Sequence, residues 1–321
     1  MDLAQRINTL GQDLLRRHGQ RVHKLALNVG FSCPNRDGSK GHGGCTFCNN
    51  ASFTPHARRA PDLVEQLESG ARIALKLTGA VRFLAYFQAY TNTYADVDEL
   101  RALYTLALAQ PRVIGLSVGT RPDCVPDAVL DLLAGYRAQG HEVWLELGLQ
   151  SAFDDTLERV NRGHGFAEYA DAVTRARARG LPVCTHLILG LPGEDHAHHR
   201  ETLARVLALG TDGLKLHPLH VVKSTRLAFE WKRGEYTPLS AGAYIGQCVD
   251  LIRHTPPEVV FHRVTGTAPA ELLLAPAWCA HKWPVLNGIA GQLAAQDQYQ
   301  GSALGRPFQS LPRGGHDHPL H

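Results

Sequence analysis

The sequence predicts an α/β fold on a parallel sheet that closes into a barrel or part of one. Three observations carry this. Short, mostly apolar runs recur along the chain, amphipathic helical stretches separate them, and six such runs fall within the first 220 residues. Strands this apolar are buried on both faces, as in parallel sheets covered by helices. Consecutive strand–helix–strand units then run as right-handed crossovers. A chain of 321 residues suits one such barrel or two smaller domains. At this size folding buries roughly 75% of the unfolded surface, so the core needs no disulfide staples.

The chain opens with MDLAQRINTLGQDLLRRHGQ, where Leu3, Ile7, Leu10 and Leu14 share one helical face. That spacing predicts a helix within 1–20 packed on the body. Asp2, the broken apolar pattern and the lack of a small-residue cleavage site argue against a signal peptide. Strands are predicted at 24–29, 81–87, 113–118, 142–149, 182–189 and 213–219. Helices are predicted at about 62–78, 97–109, 126–139, 166–179 and 196–209, with Asp62, Asp127 and Asp195 suited to their N-termini and Gly140, Gly180 and Gly210 to their ends. The barrel is thus assigned to 21–220.

From 221 to 300 the pattern changes to a loop or short helix, a helix near 240–254, a strand at 258–264 and a helical stretch at 278–298. These form an extension packed on the barrel. Residues 301–321, rich in Gly, Pro and His and without periodicity, are expected to be loosely ordered. No apolar run approaches the roughly 20 residues that span a bilayer, and a cytoplasmic location is expected. The formal net charge of +3 neither requires nor excludes a nucleic-acid partner.

Seven cysteines are present. In a reducing compartment they serve as buried hydrophobes, nucleophiles or metal ligands. Cys33, Cys45 and Cys48 gather in the loop after the first strand, spaced Cys-x11-Cys-x2-Cys. That loop lies at the carboxyl end of its strand, where α/β barrels place their chemistry. Three thiolates can hold an iron–sulfur cluster or, with a fourth ligand such as His42, a structural zinc ion. A cubane held by three thiolates leaves one iron open to bind a ligand. Gly38, Gly41, Gly43 and Gly44 suit a loop that wraps a cluster closely. Phe47 either packs inward or flanks a bound purine. Cys124, Cys184 and Cys248 read as buried small hydrophobes, and Cys279 is left without an assigned role.

The motifs then resemble a known group. The triad after the first strand, Phe47 before its last cysteine and HLILGLPGE at 186–194 are similar to the radical S-adenosylmethionine (radical SAM) superfamily, although the spacing departs from its commonest Cys-x3-Cys-x2-Cys. CPNRDGSKGHGGCTFCNNASF at 33–53, YFQAYTNTYA, GTRPDC, ELGLQS and NRGHG resemble the YhcC-like family, itself similar to the radical SAM part of the elongator catalytic subunit. The resemblance covers about residues 20–300.

It implies a partial (β/α)6 barrel of the TIM type and a [4Fe–4S] cluster on Cys33, Cys45 and Cys48. It also implies S-adenosylmethionine (SAM) on the open iron, an electron donor such as a flavodoxin or ferredoxin, and a 5′-deoxyadenosyl radical that takes hydrogen from the substrate. By the same resemblance, Gln150 and Arg162 are expected to bind SAM, Arg162 through its planar guanidinium. His186 stands where some relatives place an Asp toward the ribose, and is equally readable as a core histidine. GLPGE approaches the adenine or is a plain strand-to-helix turn. Gln88, Tyr90 and Thr91 stand where the superfamily's usual motif for the SAM amino group is missing.

Lys215, His217 and His220 are candidates on the substrate side. His196, His198 and His199 are expected at the surface, and 231–236 as a solvated turn. The resemblance implies tRNA wobble-uridine modification, with Arg16, Arg17, Arg21, Lys24, Arg58 and Arg59 as cations near the barrel mouth. A small metabolite or protein side chain is the alternative substrate, and a zinc-stabilised binding module the alternative of another class.

Overall fold

The structure, a computed structural model, describes residues 2–52 and 62–309. In chain order the elements are α1 (Leu10–His18), β1 (Val22–Leu27), α2 (Leu63–Thr78), β2 (Arg82–Phe87), α3 (Val97–Leu108), β3 (Val113–Thr120), α4 (Asp127–Ala138), β4 (Glu142–Gln150), α5 (Asp154–Arg159), α6 (Phe166–Ala178), β5 (Val183–Leu189), α7 (His196–Ala208) and β6 (Gly213–Pro218). There follow β7 (Val221–Val222), α8 (Arg226–Lys232), α9 (Ala241–Arg253), β8 (Val260–Arg263), β9 (Leu273–Ala275) and α10 (Lys282–Ala295).

The six expected strands pair in parallel in sequence order, and β8 joins β6 as a seventh. The strand expected in the C-terminal extension therefore belongs to the main sheet. Burial explains the near-continuous apolar runs: residues 143–149 of β4 are all buried. Helix starts follow from side-chain caps. Asp62 and Asp195 accept bonds from the N–H groups of Glu65 and His198. Gly180 follows α6 at φ +70°, a left-handed conformation that ends a helix and favours glycine.

Two of the differences from expectation have a cause in named contacts. β1 stops at Leu27 because the Gln66 side-chain amide takes over the backbone of Asn28, bonding both its N–H and its C=O at 2.9 Å. The N-terminal stretch is a short turn at Leu3–Gln5 followed by α1, capped by Thr9, so the single helix expected there is broken in two. Its apolar face is still buried, with Ile7 and Leu14 each 1% exposed. Of the tail expected to be loosely ordered, residues 301–309 instead carry a turn at Ser302–Leu304 and an ion pair from Arg306 to Glu258 at 2.7 Å, and residues 310–321 lie outside the described residues.

Candidate active site

A cavity of about 250 Å³ opens at the carboxyl ends of the strands. Cys33, Cys45, Phe47 and Cys48 line it from the loop after β1, Gln88 from the end of β2, Gln150 from the end of β4, Arg162 from the turn after α5 and His186 from β5. Arg263, the last residue of β8, lines it too. Both ends of the strand order thus face one space, which requires the sheet to curl into a partial barrel.

The loop bearing the three cysteines is fixed by hydrogen bonds to elements distant in sequence. Thr46 N–H donates to Val160 C=O at 2.9 Å, and Leu227 N–H to Thr46 C=O at 2.9 Å. Asn161 donates its side-chain amide to Gly44 C=O at 2.8 Å, and Asn35 donates to Asn161 C=O at 2.5 Å. Asn35 Nδ2 also lies 3.8 Å from Cys45 Sγ. Arg36 donates to Cys48 C=O at 2.6 Å. The buried Arg121 forms a two-pronged ion pair with Asp123, at 2.9 and 3.0 Å. Sequence reasoning misses Asn35, Asn161 and Arg121. Their only signal is that they fall inside the motifs quoted above.

Gln150 and Arg162 owe their positions to irregular backbone. The β4–β5 register shifts between Gly148 and Gln150, and Gln150 adopts φ +82°. A bulge of this kind re-aims a side chain next to a site. Arg162 is 8% exposed. It donates to Gly148 C=O, and its Nη1 lies 3.5 Å from Cys45 Sγ. A Cβ at Gly148 would stand 2.9 Å from Arg162 Nη2 and 3.0 Å from Gln150 Nε2, so any larger residue would displace both side chains.

Beneath the cavity lies a charged cluster. Glu146, fully buried, accepts from Lys24 and Lys215, from Ser117 Oγ at 2.5 Å, and pairs with His186 Nε2 at 2.7 Å. Lys215 also donates to Tyr86 Oη at 2.8 Å. The two lysines hold the Glu146 carboxyl well below the usual range despite its burial. Burial lowers Lys215 to about 8 and His186 to about 4. His186 is thus both a cavity wall and a partner of a core carboxylate. Glu146, Cys184 and His186 bring ligand atoms within 4.8 Å of one another, but the two ammonium groups on Glu146 oppose a cation there.

Three thiols at one strand end can hold an iron–sulfur cluster or, with a fourth ligand, a zinc ion. Burial and the neighbouring Cys45 push the Cys48 thiol up to about 11, so bound metal, which displaces thiol protons, is what would hold it as a thiolate. Arg162 Nε, Arg121 Nη1 and Asn35 Oδ1 are buried without a hydrogen-bond partner among the described residues, as expected where a polar ligand completes a site.

Other expectations are corrected. Arg16, Arg17 and Arg21 sit at the opposite, amino end of the strands. Arg16 bonds Asp13 at 3.1 Å, Arg17 bonds Glu142 at 2.5 and 2.9 Å, and Arg21 donates to Thr78 C=O at 3.0 Å. Lys24 is in the interior pair with Glu146. None of these four is a mouth cation, and Arg58 and Arg59 lie outside the described residues.

GLPGE does not line the cavity. Gly190 N–H donates to His199 Nε2 at 3.2 Å and its C=O accepts from Tyr236 Oη at 2.8 Å, so it is a strand-to-helix turn, while Ile188 reaches the cavity. His199 is 4% exposed and Tyr236 8%, so neither faces solvent as expected. Cys124, Cys184, Cys248 and Cys279 are buried, and burial raises the Cys279 thiol to about 12. No described helix is long and apolar enough to cross a membrane.

Comparison with known proteins agrees with this geometry. Residues 28–206 match the Radical SAM superfamily and residues 211–295 its Radical_SAM C-terminal domain. Protein YhcC of Escherichia coli (strain K12) is 53% identical over 308 residues, 96% of this chain and 98% of that protein. The tRNA uridine(34) acetyltransferase of Dehalococcoides mccartyi is 35% identical over 171 residues, 52% of this chain and 36% of that one. Among solved structures, Elp3 of the archaeon Methanocaldococcus infernus superposes with a TM-score of 0.64 over 87% of this chain and 64% of that one, at 17% identity, a likeness of fold. The chain therefore belongs to the radical SAM superfamily, as an enzyme of the family that includes YhcC.

Proposed function

We propose that the cavity is the reaction site, with Cys33, Cys45 and Cys48 holding the [4Fe–4S] cluster and Gln150, Arg162 and His186 facing SAM. The observation that carries this is the convergence of all six residues on one space at the carboxyl ends of the strands. When bound, the reduced cluster and SAM supply a carbon-centred radical able to take hydrogen from a substrate. The protein's own part is positional. Arg162 presents a guanidinium suited to a carboxylate, already oriented by Gly148 C=O. Gln150 presents an amide, re-aimed by the β4 bulge. Phe47 and Ile188 supply apolar wall and help exclude water from a reactive intermediate.

The substrate we propose is a tRNA base, most directly the wobble uridine. The support is the similarity to the acetyltransferase of tRNA uridine 34. A wobble base lies in a single-stranded loop, so it can be unstacked into the cavity without melting a duplex. The test is to incubate reduced, cluster-loaded enzyme and SAM with tRNA from a deletion strain, then digest it and measure nucleosides. The reading expects a tRNA-dependent rise in 5′-deoxyadenosine and a changed uridine. A rise that needs no tRNA would reject the substrate and leave the cluster and SAM assignments standing.

A further inference from the structure

The cavity wall carries a charge imbalance that its assigned residues do not use. Among the described lining residues there are four arginines, Arg36, Arg121, Arg162 and Arg263, and no Asp or Glu. The first three are engaged around the cysteine loop, by Cys48 C=O, Asp123 and Gly148 C=O. Arg263 differs. It is exposed to the open space and makes no hydrogen bond or ion pair among the described residues. Its register partner on β6 is Lys215, whose charge Glu146 already shares with Lys24. Two lysines and one carboxylate leave one positive charge behind this wall, and Arg263 adds a second.

Two imidazoles stand beside Arg263. His217 on β6 and His220 just after it line the same cavity. The loop after β8 approaches both: a Cβ on Gly266 would lie 3.1 Å from His217 Nδ1 and 3.7 Å from His220 Cε1. His220 Nε2 is buried without a partner among the described residues. Burial and Arg263 lower both rings, His220 to about 4, so each is neutral; the single N–H of His220 goes to the backbone of Gly266, while His217 keeps one N–H to donate.

We propose that Arg263 and His217, with His220 holding the Gly266 loop beside them, form an anion subsite that takes a phosphate group carried by the substrate. The proposal rests on the reading of this cavity as the reaction site. A planar guanidinium and one further donor suit the oxygens of a phosphate. A monoester on a small molecule and a diester of an RNA backbone share this chemistry, and they separate in the test.

Calorimetric titrations of the full chain would use inorganic phosphate, uridine 5′-monophosphate and a single-stranded oligouridylate without terminal phosphates. Saturable binding is expected for at least one. Preference for the monophosphate assigns a small phosphorylated substrate, and preference for the oligonucleotide assigns an RNA backbone. Arg263→Gln should weaken the preferred probe roughly 10- to 100-fold, the loss of a hydrogen bond to a charged group, with Arg263→Lys recovering part of it. Because Arg263 is exposed and unpaired, this variant should keep its fold. Gly266→Ala, which displaces His217, should weaken the same probe. Iron loading of Cys45→Ala tests the cluster reading separately. Failure of all three probes to bind, or binding by Arg263→Gln at wild-type strength, overturns the subsite.

Discussion

Glu146→Gln tests the charge balance of the barrel interior. The substitution keeps shape but removes the charge that Lys24 and Lys215 share. Two ammonium groups would then sit beside a neutral amide, with Lys215 only 3% exposed. Breaking a buried pair by removing one partner costs about 3–5 kcal/mol. At about 2.1 cal/mol/K of unfolding entropy per residue, about 1 kcal/mol shifts the melting temperature of a chain of 321 residues by about 1.5 °C, so the loss should be roughly 4–8 °C.

The pH dependence follows from Lys215. Its folded pKa of about 8 lies below the ordinary 10.5, so the unfolded chain binds more protons between these values and stability rises with pH across them. In the variant the carboxylate that raises Lys215 is gone, so the rise begins at lower pH. The deficit should therefore be largest near neutral pH and shrink toward about pH 10, where Lys215 of the variant is neutral in the fold. Urea unfolding of both proteins at several pH values from about 6.5 to 9.5 measures it. A deficit under about 1 kcal/mol, or one constant over that range, would refute the reasoning.

The remaining predictions concern the site and the sheet that carries it. Cys45→Ala, reconstituted anaerobically, should lose the iron and the broad sulfide-to-iron absorbance, since two thiolates hold a cubane poorly; full iron content by metal analysis would contradict the assignment. Arg162→Ala should weaken SAM binding by about 1.5–3 kcal/mol, read by equilibrium dialysis, and unchanged affinity would place the carboxylate elsewhere. Gly148→Ala should also weaken SAM binding while the fold survives, because its Cβ meets only the ends of two side chains. Gly115→Ala should instead abolish soluble expression or cost about 4 kcal/mol or more, because its Cβ would stand 1.8 Å from the backbone oxygen of Glu142.

How much of the molecule is legible in its sequence depends on the range of the interaction that decides each feature. Strand order is legible because apolar runs, Asp caps and glycine stops are local signals, and chain connectivity then fixes a parallel sheet. The cysteine loop is legible because its spacing is local. Features decided by partners far along the chain are not. Lys24 reads locally as a mouth cation, yet its partner Glu146 is 122 residues away. His199 reads locally as exposed, yet Gln247 on α9 bonds its Nδ1 at 2.9 Å. The Asn35–Asn161 contact spans 126 residues. The seventh strand reads as part of an extension because no local pattern says which edge it joins.

Lys24 differs from the others, because its true place follows from the strand pattern itself. A charged side chain on the inner face of a strand has little route to water, and an isolated buried charge is far too costly to persist. Lys24, Glu146 and Lys215 each interrupt an otherwise apolar strand. Successive strand residues alternate faces, so each points either to the helix layer or to the barrel interior. Three such charges on three strands of one closing sheet can share one another's fields only if all point inward, where the carboxylate offsets one of the two ammonium charges. That constraint places Glu146 between the lysines and removes Lys24 from the RNA-facing cations.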